Sequence, residues 1–458
     1  MIAREWRASW LGVAGLLGMA AALGAVSGLD PELAIAASMA IVFMLVVLAN
    51  LSLGLALFVF LAFLETLPSL GGPTLTFAKA AGLVLAISWV AAVSSRQEHR
   101  PGFLSEHPGL SLLLVLFLAW SAISTVWADS TSAAFTSTYR YALDAILLII
   151  VFAAVRERRH LTWVVAAFVA GATVAALYGL VIGPSPSASA ERVAGTIGDP
   201  NQLAAVLVAG AVLAAGLGAA SSRDSLLRAV AVAATFLCLA ALVLTVSRGG
   251  LFALVFTILV ALPLAGRWRR RATVGALAVV FLIGAYLLLL APFSVQSRLS
   301  TAGSGSGRTD IWTVGWREVE AHPVAGVGSG NFKTASIHYL LQPGPLERDE
   351  FIVDTPKVAH NVYLQILAEL GVIGLVLFLC LIATSISAAV RAAREFALQG
   401  DRRMELLTRA VVIALAGLLV ADFFISDQYS KQLWLLLGLG PALLAIAKRT
   451  TPDQRPAT

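Results

Sequence analysis

The sequence predicts an all-α protein that crosses a membrane many times. Of its 458 residues, 59% are hydrophobic and 13% are charged, whereas a soluble domain carries roughly 25% charged residues. Apolar stretches follow one another from residue 9 almost to the end, and most approach the roughly 20 residues that a helix needs to cross a bilayer. Strand patterns are scarce. We therefore expect a polytopic helical bundle of about fourteen, at least twelve, transmembrane helices.

Each expected span corresponds to one of these stretches. Two uncharged runs are too long for one crossing, because residues 33–64 and 229–266 would measure about 48 and 57 Å as single helices. We expect the first to fold back at Asn50 to Gly54 and the second at Ser247 to Gly250. The predicted spans are 9–28, 33–49, 51–67, 75–94, 109–127, 142–155, 161–182, 202–220, 229–247, 249–266, 272–291, 361–388, 409–426 and 432–447.

The positive charges predict the orientation. With the N-terminus inside, 21 of the 32 Lys and Arg residues fall at cytoplasmic ends, as the positive-inside rule requires. Both termini are then cytoplasmic, and the long segment 292–359 is periplasmic or external. The net charge of +6 reflects topology rather than nucleic-acid binding. Arg4 and Arg7 before an apolar stretch resemble the start of a signal peptide, but we expect this segment to remain uncleaved as the first transmembrane helix.

The expected organisation has four parts: an N-terminal transmembrane bundle (1–182), helices with candidate arginines (183–291), the long loop (292–359) and C-terminal helices (360–458). Within the loop we predict a helix near Thr309 to Ala321 and a turn at His322-Pro323. The following Gly326-Val-Gly-Ser-Gly330 could present backbone N–H groups to an anion, although such loops are more often only turns.

Soluble nucleotide chemistry and metal chemistry are not indicated. The sequence has no Walker lysine motif, HExxH or CxxC pair, and Cys238 and Cys380 lie in apolar runs. Asp30-Pro-Glu32 has a spacing that can hold a divalent cation, but Asp followed by Pro is also how a helix begins, and we favour the cap. We expect no metal and no cofactor.

Arg248 is the most informative residue, because it is the one charge between Ala229 and Gly266 and an Arg within a membrane costs about 2.5 to 3.5 kcal/mol. Ser247, Gly249 and Gly250 beside it break the helix and let a backbone or ligand approach. The alternatives are an anion site and an arginine that extends to the lipid headgroups.

Arg192 and His360 are expected on the same outer face. Arg192 lies in the loop 183–201, where Asp199-Pro200 is typical of a helix start; by itself it would be an ordinary exposed arginine. His360 lies where the long loop re-enters the membrane, and either faces an external site or caps its own helix. Two guanidiniums can bind a diphosphate leaving group, and a neutral imidazole can accept the proton of an attacking hydroxyl.

Five motifs resemble the O-antigen ligase and polymerase superfamily. They are Arg192-Val-Ala-Gly-Thr-Ile-Gly-Asp-Pro-Asn201, Ser247-Arg-Gly-Gly250, Arg308-Thr-Asp-Ile-Trp312, Gly326-Val-Gly-Ser-Gly-Asn-Phe332, and His360-Asn followed after nine residues by Gly371-x-x-Gly374. The resemblance covers about residues 190–375, and the last spacing is its most specific part.

The resemblance implies a glycosyltransferase C-like fold in the bacterial cytoplasmic (inner) membrane. It also implies inverting, metal-free transfer of a glycan from undecaprenyl diphosphate to an acceptor glycan or glycolipid. By the same resemblance, Arg192 and Arg248 would bind the diphosphate, His360 would activate the acceptor, and Arg308 would be a further diphosphate-binding residue. Ligase and polymerase both remain open.

Two rivals of other classes are a small-solute or ion transporter, which an arginine at a helix break also suits, and a scaffold for cell-wall machinery. Among the acids in the membrane, Glu369 is expected to be a buried packing partner rather than a catalytic group. Asp422 and Asp144 have either a functional or a structural role. Gly371 and Gly374 are expected to allow close helix packing.

Overall fold

A computed structural model shows that the protein is an all-α membrane protein. The structure describes residues 31–65, 77–94, 102–183, 192–221, 224–266, 269–291, 308–340 and 357–449, with the isolated residues 21, 24, 25, 27, 28, 296 and 342. Within these ranges there is no β-strand. Nine of the described helices are long and apolar enough to cross a membrane.

Sixteen helices follow one another along the described ranges. They are α1 (Pro31–Ala49), α2 (Leu51–Leu61), α3 (Phe77–Ser94), α4 (Phe103–Glu106), α5 (Pro108–Ile123), α6 (Thr131–Ala154), α7 (Arg158–Ile182), α8 (Pro200–Ala220), α9 (Ser225–Leu244), α10 (Arg248–Leu264), α11 (Arg269–Ala285), α12 (Arg308–Ala321), α13 (Phe332–Leu340), α14 (Val362–Leu398), α15 (Arg402–Ala421) and α16 (Lys431–Arg449). A 3-10 turn, Ser124–Val126, and a π-helical turn, Tyr286–Leu290, extend α5 and α11.

Both predicted breaks in the long apolar runs are present. Asn50 has extended backbone angles and caps α2 through its side-chain oxygen, which accepts from Ser52 and Leu53 N–H. A Cβ added to Gly54 would collide with Val47, so the last turn of α1 lies against the first turn of α2. Between α9 and α10, Ser247 caps the second helix, and its hydroxyl accepts from Gly250 N–H.

The span count of fourteen stays a prediction, and one span is shorter than expected. Helix α2 has 11 residues, about 16 Å, and ends at Leu61 rather than at residue 67. The apolar parts of α3 and α10 are also shorter than 18 residues. The first expected span, 9–28, lies largely outside the described residues.

The core is built from small residues that allow helices to approach closely. Helix α8 packs against α7, α9, α10 and α15. A Cβ at Gly210 would collide with Ala172 of α7, and one at Gly216 would collide with Ala410 of α15. Such small-residue contacts are how membrane helices pack without a difference in hydrophobicity between protein and lipid.

Helix α14 is broken at Gly371, which has φ 66° and ψ −171°. The segment that follows α12 pairs with this break. Val327 and Gly328 donate backbone N–H groups to Ala368 O and Glu369 O, each at 2.9 Å. On the other side of the break, Val372 N–H donates to Pro323 O. Gly371 was expected to allow close packing. Its conformation breaks the helix, and its lack of a side chain lets this loop approach, because a Cβ there would collide with Val324 O.

Candidate active site

Four helices begin at one end of the bundle, which we call the site end. The connection between α15 and α16, residues 422–430, lies among the helix starts and is called the rim connection. The backbone N–H of Val362, at the start of α14, donates to Asp422 O at 2.9 Å. The side-chain amide of Gln202, in the first turn of α8, donates to Asp427 Oδ1 at 3.2 Å. The starts of α8 and α14 therefore meet at this connection.

Two phenylalanines of the rim connection bring the other two helix starts to the same place. Phe424 lies against Gly249, where an added Cβ would be 2.6 Å from the Cβ of Phe424. Phe423 makes an edge contact with Trp312 of α12, with ring centroids 5.7 Å apart. The starts of α10 and α12, and with them Arg248 and Arg308, thus lie beside those of α8 and α14. Helix N-termini carry a partial positive charge and favour anions.

Arg192 is buried rather than exposed, which corrects the expectation of an ordinary surface arginine. Its Nε donates to Thr245 O, and its Nη2 donates to Asn201 Oδ1, both at 2.8 Å. The same Asn201 oxygen accepts from Ser247 Oγ at 3.0 Å. Asn201 therefore connects Arg192 to the break that precedes Arg248, and the two arginines lie on neighbouring pieces of backbone.

The turn that precedes Arg248 has an unusual backbone. Val246 has φ 49°, a left-handed conformation that is rare for a β-branched residue and is retained only where the surroundings enforce it. Ser247 then caps α10. Arg248 is the first residue of the helix and is partly buried. The sequence motif therefore places a guanidinium at a helix N-terminus.

His360 also has a left-handed backbone, with φ 50°. It does not cap its helix: the cap is Asn361, whose Oδ1 accepts from Tyr363 and Leu364 N–H at 3.0 Å. The alternative in which His360 caps its own helix is therefore wrong. The preceding carbonyl, that of Ala359, accepts from the Trp312 indole at 3.0 Å, and this bond ties the loop to α12.

The surroundings of His360 favour a neutral imidazole. Burial lowers the pKa of His360 below its usual 6.5, and the charge of Arg308 lowers it further, whereas Asp199 acts in the opposite direction. These interactions place His360 within electrostatic reach of the start of α12 and of the residue that caps α8. A lowered pKa means that the ring is mostly unprotonated at pH 7 and is able to accept a proton.

An apolar cleft of about 560 Å³ opens beside these residues. We call it the rim cleft. It is lined by α10, α14, α15 and the rim connection, from Tyr363, Phe423 and Phe424 at its rim to Leu259. On α10 it extends from Phe252 to Leu259, about 10 Å along the helix axis. The cationic site end therefore continues directly into an apolar groove.

The glycine-rich loop binds a buried carboxyl group of the protein itself. Gly330 N–H donates to Glu369 Oε2 at 2.8 Å, and the Gln365 amide donates to Glu369 Oε1 at 2.9 Å. Glu369 is 1% exposed. The loop thus binds a buried carboxylate, and the expectation that Glu369 is a packing partner agrees with these contacts.

A further polar group at the site end was not singled out from the sequence. The guanidinium carbon of Arg140 lies 3.9 Å from the centre of the Tyr429 ring. The Tyr429 hydroxyl is 2.5 Å from Ser137 Oγ, which is 2.6 Å from Ser329 Oγ. The available signal was an arginine beside a predicted membrane span, but it was weaker than that of Arg248 because the start of α6 is rich in Ser and Thr and the helix also contains Asp144. Asp144 and Asp422 are both buried.

The fold and the site together define a class: an integral membrane protein of many helices, with arginines, a histidine and an apolar cleft at one end. A comparison with protein families gives a more specific result. The O-antigen ligase family matches residues 233–379, a range that contains Arg248, Arg308 and His360. The resemblance to the O-antigen ligase and polymerase superfamily is thereby confirmed. A search of curated proteins found no relative that matches the chain.

Proposed function

We propose that the protein is an O-antigen ligase-type glycosyltransferase of the bacterial inner membrane. It transfers an oligo- or polysaccharide from undecaprenyl diphosphate to an acceptor hydroxyl on the periplasmic side, with both termini in the cytoplasm. The observation that carries the proposal is that the starts of α8, α10, α12 and α14 bring arginines and His360 to the rim of an apolar, membrane-embedded cleft. The family match supports this class of reaction.

The diphosphate is bound by Arg192 and Arg248 in this proposal. A guanidinium binds phosphate oxygens through two parallel hydrogen bonds, and two guanidiniums neutralise a diphosphate as it leaves. Arg192 is held by Thr245 O and Asn201, so it needs little reorganisation on binding. The N-terminus of α10 adds its partial charge at Arg248. Arg308, at the start of α12, binds the outer part of the diphosphate.

The lipid tail of the donor occupies the rim cleft. A polyprenyl chain is apolar and begins at the diphosphate, so its binding site must start at the cationic residues and continue into the membrane. The rim cleft has this arrangement, because Tyr363 follows His360 closely and Phe252 follows Arg248 on the same helix. Apolar burial at about 25 cal/mol per Å² makes such a groove a substantial source of affinity.

The transfer step uses His360 as the general base. The neutral imidazole accepts the proton of the acceptor hydroxyl, and the acceptor oxygen forms a bond to the anomeric carbon from the face opposite the diphosphate. The bond from that carbon to the diphosphate oxygen breaks, and its electron pair leaves with undecaprenyl diphosphate. The configuration is inverted. The arginines supply the positive charge, so we expect transfer to continue in the presence of EDTA.

The deciding experiment is reconstitution of the purified protein with a lipid-diphosphate oligosaccharide and candidate acceptors. We expect transfer by the wild type, and a loss of at least about 10³-fold in Arg248→Ala and His360→Ala, the scale of removing a principal electrostatic or acid–base group. Unfolding temperature and gel-filtration profile must match the wild type. Arg317→Ala, which removes an arginine of α12 that donates to Tyr339 O, is the matched control and should retain transfer.

The products distinguish the two members of the superfamily. A single addition to an acceptor glycolipid identifies a ligase, and a ladder of lengthening lipid-linked chains identifies a polymerase. Undiminished transfer by both Ala variants would contradict the mechanism. Solute uptake by the same proteoliposomes, without glycan transfer, would identify the protein as a transporter.

A further inference from the structure

A second apolar cleft lies at the opposite end of the bundle. It has a volume of about 410 Å³ and lies between α3, α5 and α6, with α4 at its edge. We call it the far cleft. Trp89 of α3, Leu118 of α5 and Phe152 of α6 are among its lining side chains, and Arg156 is at one end. None of these residues takes part in the proposed transfer reaction.

The far cleft spans most of one membrane leaflet. Its lining on α6 extends from Ala145 to Ala153, which is about 12 Å along the helix axis, and Arg156 lies two residues beyond the end of α6. The hydrocarbon core of a bilayer is about 30 Å thick, so half of it is about 15 Å. A groove of this depth fits an acyl chain of one leaflet, with the headgroup at the level of Arg156.

The cleft opens toward the surrounding hydrocarbon. Three of its lining side chains are largely exposed on the outside of the bundle: Leu104 at 70%, Val115 at 57% and Val93 at 49%. In the membrane these side chains face lipid. A lipid chain therefore reaches the groove from the side without any movement of the helices.

Two arginines meet at the end of the cleft that Arg156 lines. The Arg156 side chain is 11% exposed and lies 3.6 Å from Glu106 Oε1, and its guanidinium carbon is 4.4 Å from the Phe152 ring centre. Glu106 also forms an ion pair with Arg449 at the end of α16. Two guanidiniums, those of Arg156 and Arg449, thus lie together at this end of the cleft, where a phosphate headgroup would be.

We propose that the far cleft binds an anionic phospholipid, with one acyl chain in the groove and the phosphate beside Arg156. The apolar lining and its depth select a membrane lipid, and the two guanidiniums at its end select an anionic headgroup over a zwitterionic one. This inference does not depend on the proposed transfer reaction.

Native mass spectrometry of the delipidated full-length protein tests the site. Phosphatidylglycerol and phosphatidylcholine with the same acyl chains are titrated separately, and the bound fraction is measured. We expect one phosphatidylglycerol to be retained at least about tenfold more strongly than phosphatidylcholine. Val115→Trp, which fills the groove from its exposed side, should abolish retention. Leu112→Trp, on the lipid-facing side of the same helix and 59% exposed but outside the cleft, should not.

The headgroup contact is tested separately with Arg156→Gln. This variant should bind both lipids about equally, since the groove remains and the charge is removed. Equal binding of the two lipids by the wild type would overturn the proposal, and so would retention by Val115→Trp that matches Leu112→Trp. Because both tryptophan substitutions are on the exposed surface of α5, a difference between them reports the groove rather than a failure to fold.

Discussion

Replacing Asn201 by Ala should reduce glycan transfer without unfolding the protein. Asn201 Oδ1 accepts from the Arg192 guanidinium at 2.8 Å and from Ser247 Oγ at 3.0 Å. A hydrogen bond to a charged group contributes about 1.5–3 kcal/mol, and a neutral one about 0.5–1.5 kcal/mol. If the charged bond positions Arg192 for the leaving diphosphate, its loss should lower kcat/KM by about 10- to 150-fold, since 1.36 kcal/mol corresponds to a factor of ten.

The assay is transfer from a lipid-diphosphate oligosaccharide in proteoliposomes, per amount of folded protein, together with the unfolding temperature. Thr196→Val is the matched control. Thr196 is on the same chain segment as Arg192 and Asn201, but its buried hydroxyl donates its proton to Phe63 O. The substitution should therefore lower stability by about 1 kcal/mol and leave kcat/KM unchanged. Equal activity per folded molecule for Asn201→Ala and the wild type would refute the role given to Arg192.

Three further changes have defined outcomes. Arg308→Gln should move the acid limb of the pH–rate profile to higher pH, because the charge of Arg308 lowers the pKa of His360 and activity requires the unprotonated ring; an unchanged limb would contradict this. Gly371→Ala should lower the unfolding free energy by at least about 2 kcal/mol through strain and steric overlap. The control is Gly275→Ala, because nothing lies within 4 Å of a Cβ at that position. In a melting experiment the control should be neutral or slightly stabilising. Val255→Trp, in the lining of the rim cleft, should raise KM for a long-chain polyprenyl donor more than for a donor with a short tail, as measured by initial rates.

The control for the rim cleft is Val230→Trp on α9. Val230 is 56% exposed and lies outside the lining of the rim cleft, so a tryptophan there should leave KM unchanged for both donors. Equal effects of the two tryptophans would exclude the rim cleft as the binding site of the polyprenyl tail.

Local chemistry allowed much of the fold to be predicted from the sequence. The cap at Asp199 and Pro200 in the first turn of α8 are where the sequence placed them, because a cap depends on a few adjacent residues. The break between α9 and α10 falls at the predicted Ser247 to Gly250, and there Ser247 forms a cap that was not predicted. The helix from Arg308 to Ala321 also agrees with the prediction. The four-part division of the chain and the roles of the candidate residues stay predictions.

The break in α14 could not be predicted, because a glycine inside an apolar run is compatible with a continuous membrane helix. Its conformation depends on a partner distant in sequence: the loop at Pro323 to Gly328 donates to and accepts from the backbone on both sides of Gly371. The burial of Arg192 was missed for the same reason, since Thr245 and Asn201 come to it only in the folded chain.

Gly330 and Glu369 are joined by a hydrogen bond. The glycine-rich loop and the first half of α14 can therefore be exchanged between related proteins only together. A chimera that grafts this loop from a relative, but keeps a recipient residue other than Glu at the position of Glu369, would lose the acceptor that holds Gly330. The same graft also requires a glycine at the break in α14. Segments 39 residues apart in the sequence must therefore be transplanted together rather than one residue at a time.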